Sequence, residues 1–107
     1  MNASMKKVWL AEFIGTFCWV FFGCGSIIAA EKGFLSPSYA AWIFGLTVFM
    51  MIVFFGKISN AHFNPARTLG PALFSKNLDH LALYFIAPVI GSLVGAALIA
   101  QLRKSYS

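Results

Sequence analysis

Polar and apolar positions along this chain fall into long blocks rather than short alternations. Runs 13–30, 39–56 and 81–102 contain no Asp, Glu, Lys or Arg. At a helical rise of about 1.5 Å per residue, each run is about long enough to cross a bilayer core of roughly 30 Å. With their flanks, the blocks predict three spans, 8–30, 38–57 and 80–103. Helices are required there, because lipid offers the backbone of an open chain no other partner. A fourth block, 58–75, reads ISNAHFNPARTLGPALFS and breaks the pattern, being too polar to span and too apolar for a surface loop.

Composition agrees with a membrane setting. A chain of 107 residues that is 60% hydrophobic and 10% charged cannot present an ordinary charged surface to water. The expectation is an all-α, multi-pass protein of the cell membrane, with lipid around it. Lys6 and Lys7 ahead of the first run imitate a secretory signal. That reading fails because the apolar core is longer than a signal h-region and the rest of the chain is equally membrane-like. An initiating Met1 and a polar, basic end at 103–107 are what an intact chain would carry.

The net charge of +5 comes from basic residues scattered through connecting segments, which reads as interfacial anchoring and not as a nucleic-acid surface. Cys18 and Cys24 lie six apart on one predicted helix, on different faces and too distant for a disulfide, so they read as buried thiols. Gly91, Gly95, Ala96 and Ala97 give the last span a small face suited to close helix packing. His62 and His80 are the only histidines, and the chain has no nucleophile and base at a recognisable spacing, no phosphate loop and no metal-ligand cluster. The expectation is therefore a protein that is not an enzyme and uses no cofactor or metal.

The irregular block is best satisfied by a re-entrant half-helix. Arg67 at its centre, with Pro65 and Pro71 inside it, argues against a lipid-facing crossing, while Ala66, Leu69, Ala72, Leu73 and Phe74 supply a repeated apolar side. Asn64 is a good N-cap and Pro65 suits the first helical position, which predicts a short helix over 65–74. Ten residues rise only about 15 Å, roughly half the hydrocarbon thickness. Its positive dipole end then lies near the midplane and repels cations. Irregular backbone at that depth must be buried in protein or line water, so the carbonyls of 60–63 are expected to face a wet cavity. Asn64, the carbonyls and Arg67 together suit neutral, hydrogen-bonding solutes.

These residues carry a resemblance. Asn64-Pro65-Ala66-Arg67, preceded by Ser59-Asn60-Ala61-His62-Phe63, resembles the signature loop of the aquaporin (major intrinsic protein) family. Ala11-Glu12-Phe13-Ile14-Gly15-Thr16 and Val20-Phe21-Phe22-Gly23-Cys24-Gly25-Ser26 resemble its first helix, Phe44-Gly45-Leu46-Thr47 its second, and Pro88-Val89-Ile90-Gly91 its last. Four segments in order, at family spacing, cover nearly the whole chain. The resemblance implies that Asn64 is the midpore donor of the Asn-Pro-Ala motif, completed by Pro65 and Ala66. It also implies that Phe44, Ile52, Ala61 and Arg67 form the selectivity filter and that Glu12 holds the loop by hydrogen bonds. His62 reads as structural support. The resemblance places Ile52 where many water-selective members have His, which leaves glycerol-like solutes, ammonia or other small neutral molecules open.

Family members ordinarily carry two inverted repeats, whereas this sequence shows one, a half-aquaporin over 1–107 with no internal repetition. Three spans put the ends on opposite sides, so completing a pore requires a second copy inserted upside down. Charge permits such dual topology, with Lys6, Lys7, Lys57 and Lys76 on one side and Lys32, Arg103 and Lys104 on the other, nearly no orientation bias. The expected function is a passive channel for water or small neutral solutes, formed by an antiparallel homodimer with a filter at each mouth. By the family's usual grouping, eight chains would form four pores. Two alternatives remain at this stage: a small dual-topology proton-coupled exporter using Glu12 as its coupling site, and a nonconducting accessory subunit of a channel.

Overall fold

The computed structural model describes residues 3–59, 61–64, 67–69, 73 and 81–105. The first long rod is continuous but not uniform. It comprises α1 (Ala3–Cys18), a π-helical segment (Trp19–Cys24) and α2 (Gly25–Glu31). The chain then turns into α3 (Pro37–Ser59), and a final helix α4 (Leu81–Ser105) closes the bundle. Among the described residues, three stretches are long and apolar enough to cross a membrane: Ser4–Glu31, Pro37–Ser59 and Leu81–Lys104. The first therefore begins earlier than the charge-free run suggests, drawing Lys6 and Lys7 into the helix. The π-helical segment has no counterpart in the sequence expectation.

The turn between α2 and α3 is specified locally. The amide of Phe34 donates to the carbonyl of Ala29 (2.9 Å) and that of Gly33 to Ala30 (3.1 Å), while Gly33 takes φ +83°. This paired arrangement ends a helix around a left-handed residue, a conformation that suits glycine. Ser36 then caps α3, its Oγ accepting from the Tyr39 amide at 3.4 Å, with Pro37 in the first helical position.

Packing centres on the crossing of α1 and α4. A side chain at Gly91 would collide with the Phe13 carbonyl oxygen, and one at Gly95 would lie 3.1 Å from the Phe17 carbonyl oxygen. Absence of a Cβ at these two positions lets the backbones meet. Ala96 and Ala97, in contrast, are exposed, so only the glycines of the small face serve this crossing. Cys18 and Cys24 are both free thiols and only half-buried.

The buried apolar core is small, consisting of Ala11, Ala40, Ala61, Phe63, Leu83 and Ala87 among the described residues. Large apolar side chains point outward in number, Trp42 at 76% exposure and Phe49 at 60% among them. A water-soluble fold would not leave such faces open, whereas lipid or partner helices cover them without cost. The 45 Å long axis matches a bilayer of about 40–45 Å with its interfacial regions.

Candidate functional site

Two elements meet where the chain leaves α3. Ser59 is the last residue of that helix and is almost completely buried, at 1% exposure, beside the equally buried Glu12 of α1. The Ser59 hydroxyl donates to Glu12 Oε2 at 2.7 Å, and the same hydroxyl accepts from the Ala61 amide at 3.1 Å. Glu12 Oε2 also accepts from the His62 amide at 3.1 Å, and Glu12 Oε1 from the Phe63 amide at 2.8 Å. One carboxylate thus gathers three donors from two segments about fifty positions away. A buried carboxylate is stable only when its lone pairs are filled in this manner.

The loop backbone held by Glu12 is unusual. Ala61 has φ +50° and Phe63 φ +55°, both in the left-handed region although neither is glycine. Such a residue costs on the order of 1–2 kcal/mol, which the hydrogen bonds to Glu12 and the burial of both side chains offset. Thr16, one turn beyond Glu12, donates its hydroxyl to the Phe63 carbonyl at 3.3 Å. The Phe63 ring lies so tightly over Gly15 that a methyl group there would come within 2.5 Å of the ring's Cζ. Tyr84 of α4 completes the frame, its hydroxyl donating to the Ser59 carbonyl at 2.8 Å while its ring stacks on His62 at 4.1 Å.

Beyond the loop the chain becomes helical at 67–69. The Thr68 amide donates to the Asn64 carbonyl at 3.1 Å. His62 Nδ1 lies 2.8 Å from Thr68 Oγ1, so the imidazole braces Thr68. Asn64 itself is half-buried and borders a cavity of about 240 Å3 with Thr16, Trp19, Phe63, Pro88 and Ser92. Arg67 is exposed. Pro65 and Ala66 of the motif lie outside the described residues, as does most of the expected helix over 65–74.

Of the remaining candidates, Phe44 and Ile52 sit on α3 and Ala61 on the loop that follows it. Phe44 is half-buried, its ring edge-on to Trp19 at 5.7 Å and directly over Gly23. Ile52 is 47% exposed, two turns closer to the loop. Ala61 is buried at 3%. Phe44 contacts the π-helical segment, whereas Ala61 belongs to the Glu12 cluster, so these two candidate filter residues lie in different places on the chain. Thr16, Thr68 and Tyr84 were not singled out as supports in the sequence. Each was visible as a hydroxyl inside or beside an apolar run, where an unpaired polar group is costly.

Comparison with known proteins places these features in a family. The sequence model described as Major intrinsic protein matches residues 1–107. Aquaporin NIP3-1 of Arabidopsis thaliana is 42% identical over 107 residues, a match covering 97% of this chain and 32% of that protein. Aquaporin Z of Brucella melitensis biotype 1 is 43% identical over 96 residues, covering 83% of this chain and 41% of that protein. Aquaporin-2 of Talpa europaea is 36% identical over 106 residues, covering 97% of this chain and 96% of that sequence. The chain thus spans less than half the length of the first two relatives.

Proposed function

Because the chain belongs to the major intrinsic protein family and is an integral membrane protein, we propose that two inverted copies of it form a passive channel for water and small neutral, glycerol-like solutes. Aquaporins of this family are channels rather than enzymes. The observation that carries the reading is the loop itself: its backbone from Ala61 to Phe63 is tied by Glu12 and Thr16 inside the helix bundle, beside the cavity that Asn64 borders. Backbone of that kind is tolerated at membrane depth only against protein or water.

In this proposal residues 58–75 re-enter the membrane as a half-helix, with Asn64 as the midpore donor and Pro65 and Ala66 completing the motif. Each mouth takes Phe44 from one copy and Ile52, Ala61 and Arg67 from the other, which accords with the separation of Phe44 from Ala61 within one chain. Ala61 contributes through its backbone, since its methyl group is buried in its own chain. Arg67, exposed, supplies donors and a barrier to cations. Ile52 makes the filter more apolar than a His would, which favours glycerol-like solutes. The grouping of four such pores belongs to the same proposal.

The exporter reading requires Glu12 to trade protons with a transported substrate. Its two oxygens accept three hydrogen bonds that hold the loop, which favours a supporting role over a coupling one. Stopped-flow light scattering on proteoliposomes tests the channel directly. Fast shrinkage under an impermeant osmolyte, or fast reswelling under glycerol, without a proton gradient and altered by Asn64→Asp, is the expected result. Permeability equal to that of empty liposomes for both solutes would overturn the proposal in favour of an exporter or a nonconducting subunit.

A further inference from the structure

The π-helical segment of the first rod does something that an ordinary helical turn would not, and it does so at Phe44. Trp19 opens the segment and Gly23 lies near its end. Both touch the same ring: Trp19 meets Phe44 edge-on at 5.7 Å with an interplanar angle of 84°, and a Cβ on Gly23 would stand 2.8 Å from Phe44 Cδ2 and 3.0 Å from Cε2. Real side-chain carbons do not approach that closely, so any residue larger than glycine must displace the ring. A π-helical turn holds one residue more than an α-helical turn, and such turns recur at functional positions. Here the extra residue is accommodated where Trp19 and Gly23 both present themselves to α3.

A second observation marks Trp19 as more than filler. Its Nε1 is buried and has no hydrogen-bond partner among the described residues. Packing alone would be served as well by an aromatic ring without a donor. Trp19 also borders the cavity beside Asn64, so one side chain spans from the aromatic of the candidate filter to the candidate midpore donor.

We propose that Trp19 and Gly23 are positioning residues for Phe44: the π-helical turn of the first rod sets where the Phe44 ring stands and thereby fixes the aperture of each mouth. The inference rests on the proposed role of Phe44 in the filter and adds that the width of the mouth is governed from the helix behind it. Gly23 gives the ring room to lie back, and Trp19 limits how far it can turn. The two therefore act in opposite directions on the opening. A methyl group at Gly23 drives the ring outward and narrows the mouth, whereas shortening Trp19 lets the ring relax and widens it.

The ratio of glycerol to water permeability in proteoliposomes reads this out, because a merely structural defect lowers both together. Gly23→Ala is expected to lower the ratio several-fold, Trp19→Leu to raise it, and Phe44→Ala to raise it further. In the Phe44→Ala background neither substitution is expected to move the ratio again, since no ring remains to be positioned. If Gly23→Ala does not fold, the pair Trp19→Leu and Trp19→Leu/Phe44→Ala carries the same test. A ratio that Phe44→Ala changes while Gly23→Ala and Trp19→Leu leave it alone overturns the positioning role and spares the filter. A ratio indifferent to Phe44→Ala overturns both, and shifts that persist unchanged in the double variants overturn the claim that these residues act through Phe44.

Discussion

The two ends of this helix bundle are built on opposite principles. At the end where α1 begins and α3 stops, buried polar groups are paired: Glu12, Thr16, Ser59 and Thr68 are all below 4% exposed and all hydrogen-bonded to the returning loop or to one another's neighbours. At the other end, where α2 turns into α3, the helices enclose open apolar grooves. One of about 540 Å3 is lined by Val20, Cys24, Ile28, Ile99 and Ala100 together with the cationic Arg103 and Lys104, and another of about 530 Å3, which Lys32 and Arg103 also border, lies between the first rod, α3 and α4. The chain plugs one end with its own loop and leaves the other unplugged. The difference teaches that buried polar pairing is concentrated at one end, and the channel proposed above would seat its second, inverted copy against the apolar other.

The largest effect is expected from removing the acceptor on which the plugged end depends. Glu12→Ala leaves the Ser59 hydroxyl and the amides of His62 and Phe63 without their partner. Each buried donor left unsatisfied costs about 1–3 kcal/mol, so the loss is a large share of a typical stability of about 5–15 kcal/mol. Loss of folded protein in detergent, or a steep fall in thermal midpoint, is the expected outcome. Glu12→Gln retains one acceptor oxygen and should fall in between. A midpoint unchanged in Glu12→Ala would mean that the loop holds itself.

Next comes the crossing that joins the two ends. Gly91→Leu places a side chain against the Phe13 carbonyl and the Phe17 amide. Forcing bulk into such a contact costs on the order of 1–3 kcal/mol and separates α1 from α4. The sequence suggested a small face for helix association in general, whereas the contacts assign Gly91 to the fold of the single chain. The expected result is a lower thermal midpoint of the monomer, with pairing impaired as a consequence. A normal midpoint with pairing alone abolished would move Gly91 to the interface.

A substitution at the unplugged end should do the reverse. Ala100→Trp fills part of the groove beside Cys24 without touching the Glu12 cluster. If that groove receives the second copy, the dimer fraction seen by crosslinking in liposomes should fall severalfold while the monomer's stability stays within about 0.5 kcal/mol of wild type, as it usually does for exposed substitutions. An undiminished dimer fraction would remove the groove from the interface.

Much of the plan was legible in the sequence, for a physical reason. Charge-free runs of membrane-crossing length can hardly be anything but helices, so the three apolar helices and the membrane could be read directly, while the family came from the resemblance of Asn64-Pro65-Ala66-Arg67 and the matched helix segments. The details that shape the site could not. Ala61 and Phe63 adopt left-handed backbone, which neither residue type signals, because the Ala61 amide is held by the Ser59 hydroxyl and the Phe63 amide by the distant Glu12 carboxylate. The π-helical segment Trp19–Cys24 is equally silent in a stretch of aromatics and glycines that any apolar helix could contain. Tyr84 reads as part of an apolar span until its hydroxyl is found on the Ser59 carbonyl. Local pattern encodes the helices, and long-range pairing encodes the loop.

The smallest effect separates holding the loop from shaping it. Thr16→Val is close to isosteric and removes only the 3.3 Å bond from the Thr16 hydroxyl to the Phe63 carbonyl. A neutral hydrogen bond of this kind contributes about 0.5–1.5 kcal/mol net, so the thermal midpoint should fall only slightly, far less than in Glu12→Ala. The Phe63 carbonyl, however, is left without that donor beside the cavity that Thr16 and Asn64 border. In the proposed channel it becomes an additional acceptor for the solute, and water permeability per channel should change even though stability barely does. A variant that loses stability as heavily as Glu12→Ala would show Thr16 to be a second anchor of the plug, and one that alters neither quantity would show the Phe63 carbonyl to lie outside the path.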